Sequence, residues 1–142
     1  MTAATRDITT PWQLGEMEDY PVKGGVQIFD NTMVCLDAAG YAVPGADVAG
    51  YKFIGIAHGG VDSRLIADGV KNVRVKRVNE HDFESTGAAI DQTNIGDPMY
   101  IADDKTVSTV TANSIQAGKL VKVTTETKNA RIWITPVTRA VS

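Results

Sequence analysis

Between Val22 and Ile134 the chain never runs far without meeting a turn former, and it holds no 3.6-residue apolar period beyond one or two turns. What remains is a series of runs of roughly 4–8 residues, rich in β-branched side chains and cut by Gly, Pro, Asn and Asp. The clearest is Lys71–Val78, where Val73 and Val75 alternate with Arg74 and Lys76. Val78 falls out of phase, so the strand is expected to end or bulge near Arg77. Residues 22–29, 32–37, 41–43 and 52–57 read the same way, with Pro44-Gly45 taken as a type II turn. Residues 98–102 turn at Asp103-Asp104-Lys105 into 106–110. Residues 119–125 place Val121 and Val123 on one face, and 130–134 set Ala130, Ile132 and Ile134 against Arg131 and Trp133. Only Gly87–Ile95 carries a weak helical signal. The pattern predicts an all-β fold, a small antiparallel β-barrel or compact sandwich.

A chain of 142 residues fits one domain. Residues 1–20 lack a sustained period and read as an extended or flexible N-terminal arm, leaving 21–142 as the folded body. Aromatics are only 6% of the chain, so the core must rest on Val, Ile, Leu, Ala and Met and is thin for this length. A thin core favours association with other subunits. The segment Met33–Asp37 followed by Tyr41-Ala42-Val43 echoes Met99–Asp103 followed by Thr106-Val107, which suggests one strand–turn–strand unit used twice.

The search for chemistry finds no constellation. His58 precedes Gly59-Gly60, and His81 sits in Asn79-Glu80-His81-Asp82, read as a polar turn; neither has a second ligand at zinc spacing. The single Cys35 alternates with Val34 and Leu36, so it faces the layer they do not and reads as a small buried hydrophobe. No GxSxG elbow, phosphate-binding glycine loop or cleft-spanning carboxylate pair is present. No enzyme activity and no cofactor or metal are expected. The N-terminus has no apolar h-region and no stretch reaches 18 apolar residues, so neither a secretory leader nor a membrane span is expected.

Two surface features stand out. Lys71, Arg74, Lys76 and Arg77 place four cations within seven residues of a chain whose net charge is −3. They read as a solvated face that guards a strand edge, as one side of a charge-complementary protein interface, or as a nucleic-acid contact. The last is weakest, because no aromatic platform is interleaved. Trp133 falls on the outer side of its strand, a position suited to a second layer or to an interface. Trp12, Leu14 and Tyr20 are large apolar residues in the arm.

The stretch Val26–Ala49, with Met33-Val34-Cys35-Leu36-Asp37-Ala38-Ala39-Gly40-Tyr41-Ala42-Val43-Pro44 at its centre, resembles the small capsid decoration, or cement, proteins of tailed phages and prophages. The likeness continues through Phe53–Ala57, the basic strand Lys71–Arg77, and Asn94–Val107. That last stretch is similar to the family's D-I-G-x-x-x-Y-x-x-D-D-x-T-V, with Asn94 where Asp is usual. The resemblance spans residues 22–135. It implies a virion protein on the outer surface of the capsid, assembled in the host cytoplasm. Its partner would be the major capsid protein, whose neighbouring subunits it ties together at symmetry axes, commonly as a trimer. It implies an arm that contacts the shell, with Trp12, Leu14 and Tyr20 as anchors. No nucleic-acid or membrane partner is implied. The residues alone leave two alternatives open. One is another phage structural part such as a tail tube, adaptor or spike. The other is a small β-barrel binding module for a carbohydrate or other ligand, using Tyr41, Tyr51 and Trp133.

Overall fold

The computed structural model describes residues 16–87, 89–124 and 129–138. Among these the protein is all-β: the only helical element is one 3-10 turn, Gln92–Asn94, at the weak helical signal. The strands are β1 (Met17–Pro21), β2 (Gln27–Ile28), β3 (Met33–Leu36), β4 (Ala42–Pro44), β5 (Lys52–Ala57), β6 (Val61–Asp62), β7 (Asn72–Lys76), β8 (Glu80–Ser85), β9 (Pro98–Ile101), β10 (Thr106–Ser108), β11 (Gln116–Thr124) and β12 (Asn129–Ile134). A first sheet runs β1-β7-β5-β3-β4. A closed barrel runs β10-β8-β12-β11-β9, and β2 with β6 forms a small ribbon. The barrel closes through one parallel pair, β8 with β10.

Each sheet has its own interior. Val22, Val34, Ala42, Ile54, Ala57, Val73 and Val75 fill the first, joined by Ile28 of the ribbon. The larger core holds Phe83, Met99, Ile101, Val107, Ala117, Leu120, Ala130 and Ile132 from the barrel strands. It also takes Met33, Cys35, Val43, Phe53 and Ile56, the opposite faces of β3, β4 and β5. These central strands are therefore apolar on both sides, as the continuous run Phe53–Ala57 requires. Cys35 faces the larger core while Val34 faces the smaller one, as strand alternation predicts.

The first sheet and the barrel follow one plan. With β1 set on β8, β3 on β9, β4 on β10, β5 on β11 and β7 on β12, the cross-strand partners correspond. Tyr20↔Val73 matches Phe83↔Ala130, and Ala57↔Val75 matches Leu120↔Ile132. Cys35↔Phe53 matches Tyr100↔Gln116, and Leu36↔Ala42 matches Ile101↔Val107. The bulge recurs as well, at Ile54 in β5 and at Ala117 in β11. Even the isolated parallel bridge Val22↔Ala42 matches the closing pair Ser85↔Val107. Four equivalent positions carry the same residue: Asp19 and Asp82, Gly55 and Gly118, Asn72 and Asn129, Arg74 and Arg131.

Several sequence expectations change. The hairpin echo is real but one residue out of register: hydrogen bonding sets Val34, not Met33, in the place of Met99. A one-residue slip exchanges the two faces of a strand, so residue likeness was the poorer guide. Met17–Tyr20, expected within the arm, join Pro21 in β1 and pair along all of β7. Glu80-His81-Asp82, expected within a polar turn, instead begin β8, which lies between β12 and β10. Gly45 does not adopt the positive φ of a type II turn; its N–H donates to the Met33 carbonyl at 2.8 Å. A bulge between Leu120 and Lys122 breaks the shared face of Val121 and Val123, leaving Val121 exposed and Val123 half-buried.

Candidate functional site

The identical residues of the two copies build the same surface device. On β1 and β7, Asp19 and Arg74 stand directly opposite, and the guanidinium donates from Nε at 2.9 Å and from Nη2 at 3.4 Å. On β8 and β12, Asp82 accepts from Arg131 at 2.8 Å and 3.2 Å in the same way. The guanidinium fork suits two parallel bonds to a carboxylate. In both copies the hydrogen bond from arginine, ahead of other influences, holds the aspartate below its ordinary carboxylate pKa. Two fold-wide registers thus converge on an ion pair, which marks these charges as cross-strand clasps.

The basic run has the same fate. Arg74 is clasped, Lys76 Nζ donates to Asn31 Oδ1 at 3.1 Å, and Lys71 Nζ donates to the Asp62 carbonyl at 3.0 Å. Arg77 lies 3.9 Å from Glu18 and donates to the Thr138 carbonyl. β7 does alternate as expected, with Val73 and Val75 fully buried, yet its cations already serve the fold.

Aspartates hold the turns. The carboxylates of Asp30, Asp37, Asp68 and Asp103 accept backbone N–H groups of Gly59, Ala39 and Tyr41, Gly24, and Lys105 and Thr106 respectively. Asp47 reaches across to the loop before β11, accepting from the N–H groups of Ala112 at 3.0 Å and Asn113 at 2.9 Å. Asp91 caps the 3-10 turn, and its bonds from Thr93 lower its pKa. Asp62 grips Arg64 from both oxygens, and that bond brings it down to about 2. Asp104 runs the other way, raised first by burial and then by the charge of Asp103.

The nucleophile and base candidates do not meet in a catalytic arrangement. Burial pushes the Cys35 thiol up to about 12, so it stays a protonated core group. His81 faces the Val78 carbonyl at 3.1 Å, and desolvation lowers its pKa. Among the described residues no group of three His, Cys, Asp or Glu side chains is placed to hold a metal ion. No described helix is long and apolar enough to cross a membrane.

Of the interface candidates, Trp12 and Leu14 lie outside the described residues. Tyr20 is half-buried against the first core, which makes it part of the body. Trp133 projects from the outer face of β12 and is 49% exposed, between Lys119 of β11 and Glu80 of β8. An open groove is lined by the equivalent segments Tyr51–Phe53 and Ser114–Gln116, with Thr135 and Val137 beside them. Tyr51 lines it, whereas Tyr41 and Trp133 do not, so the three aromatics suggested for a ligand module are not assembled there.

The class this geometry defines is an all-β protein built on one strand plan used twice, with cross-strand ion pairs and turn-capping aspartates among its described residues. Compared with known proteins, the chain matches no family model, no curated sequence and no solved structure.

Proposed function

We propose that this protein is a structural subunit of a tailed-phage or prophage virion, bound to the outer surface of the capsid, where it stabilises contacts between neighbouring major capsid subunits. The observation that carries the reading is how the surface is divided. Clustered charges are engaged in clasps and turn caps, while a half-exposed tryptophan stands on an otherwise charged strand face. Such a surface suits attachment to a protein partner. The strand and turn resemblance over residues 22–135 supplies the identity of the shell.

In this reading the protein acts as a homo-oligomer, a trimer being favoured, and residues 1–15 with Trp12 and Leu14 add a tether. One subunit need bind only weakly, because a trimer spanning several capsomers gains effective concentration. The net charge of −3 fits a protein partner better than nucleic acid. Cryo-electron microscopy of heads from the encoding phage, with and without this gene product, tests the proposal. Extra density at symmetry axes is expected; the same protein recovered from separated tails would replace this reading with a tail, adaptor or spike role.

A further inference from the structure

Because one plan is used twice, the molecule can be compared with itself. Where the fold imposes a demand, the copies agree, as at Asp19 and Asp82, Arg74 and Arg131, and Gly55 and Gly118. At one register they diverge because the two copies pack differently. Ile56 and Lys76 form a cross-strand pair in the first sheet; Lys119 and Trp133 form the equivalent pair in the barrel. In the first copy Ile56 is buried in the larger core and Lys76 is held by Asn31. In the second copy the same register faces solvent with an aromatic ring and a lysine. The register that buries Ile56 in the first copy therefore carries two exposed side chains in the second.

The surroundings of Trp133 extend that exposed surface. The bulge in β11 turns Val121 outward, 39% exposed, beside the strand that carries Trp133. Lys119 and Lys122 flank Val121; neither joins a close ion pair among the described residues, while the charge of Lys122 acts at longer range on Asp82. The Asp82–Arg131 clasp is internally neutralised, and Glu80 borders the other side. An apolar centre with a charged rim is the usual anatomy of an interface hot spot.

We infer that the outer face of β11, β12 and β8 is the docking surface, that Trp133 is its anchor, and that the partner is a protein surface offering an apolar pocket with carboxylates on the side that meets β11. This rests on the capsid reading and specifies which surface serves it: the barrel, not the basic strand of the first sheet.

The test is a co-sedimentation titration of the purified full-length protein on heads from a phage lacking it. Trp133→Ala is expected to weaken binding by about 30-fold or more, the loss typical of an aromatic anchor. Lys119→Glu/Lys122→Glu is expected to weaken binding and flatten its salt dependence, whereas Lys76→Ala binds like the wild type. Far-UV circular dichroism checks folding. Should Trp133→Ala misfold, Val121→Glu and the double lysine variant, both on exposed positions, carry the same prediction. Wild-type binding that is unchanged in these variants, or lost only in Lys76→Ala, overturns the docking surface and leaves the capsid reading standing. Wild-type binding that ignores salt overturns the acidic partner. No binding of the wild type to heads removes the capsid reading and this inference together.

Discussion

Gly55 and Gly118 occupy the same register in the two copies, and both lie against a backbone carbonyl. A Cβ on Gly55 would run into the Lys76 carbonyl oxygen, and one on Gly118 into that of Trp133. Lys76 and Trp133 are themselves equivalent, so the close approach is part of the plan rather than an accident of one strand. Gly55 has the added demand of φ 145°, which other residues adopt with strain. Gly55→Ala and Gly118→Ala should each cost at least 1–3 kcal/mol, roughly the cost of overpacking a well-filled site. Urea denaturation checks this, and an unchanged midpoint for both would show that the strands separate without penalty.

The aspartates make a second residue-scale prediction. Asp19, Asp82 and Asp62 all have folded pKa values below the unfolded one, because arginine hydrogen bonds favour their charged forms. Their contribution is therefore fully present above pH about 4, the unfolded carboxylate range, and is lost as pH falls through the folded values. For Asp62 that loss extends to about pH 2. Asp104, raised by burial and by Asp103, opposes the trend, since its protonation in acid relieves a cost. The urea midpoint should fall from pH 5 toward pH 2.5, and Asp82→Asn should reduce the slope. A flat profile for the wild type would sink the clasp account.

Among the elements, legibility follows local apolar alternation. β7 and β12 were readable because Val73 and Val75, and Ala130, Ile132 and Ile134, sit at period two against polar neighbours. β8 was not, because Glu80–Ser85 contains one large apolar residue, Phe83, and owes its strand conformation to pairing with β12 and β10. β1 was hidden for the same reason: only its pairing with β7 makes Met17–Pro21 a strand. Of the duplication only the β3–β4 and β9–β10 hairpins were legible, one residue out of register, because unequal connections space the equivalent strands differently. Its clearest trace, Asn72-x-Arg74 against Asn129-x-Arg131, is three residues long. For the site, Trp133's outward direction was readable from its alternation, but the clasps of the basic run were not. Asp19 and Arg74 are 55 residues apart in sequence.

The folded body includes β1, which yields a prediction at this scale. Removing residues 1–15 keeps β1 on β7 and should leave the urea midpoint unchanged while weakening attachment to heads. Removing residues 1–21 strips β1 from Val73 and Val75 and takes Tyr20 from the first core. That deletion should cost roughly 2–4 kcal/mol, about what one or two buried side chains contribute. Equal midpoints for the two truncations would mean that β1 is dispensable.

At the scale of the whole molecule, the thin core suggested by few aromatics resolves into two small interiors joined by one shared layer. β3, β4 and β5 line the first interior with Val34, Ala42 and Ile54 and supply Cys35, Val43 and Phe53 to the second. Asp47 ties the loops of the two copies, and Met33 donates its N–H to Asp104 across them at 2.8 Å. The tail returns the connection, with the Val137 N–H donating to the Phe53 carbonyl at 2.9 Å. A barrel that lost the first sheet would expose the larger core, so neither half has a stable state of its own to populate. The protein should unfold in one transition, with Trp fluorescence and far-UV circular dichroism coinciding. Phe53→Ala, in the first sheet but facing the barrel, should lower the midpoint by roughly 3–5 kcal/mol in free energy and keep the two probes together. If that variant instead melts in two steps, with fluorescence lagging, the copies are separate folding units and the shared layer is only a contact between them.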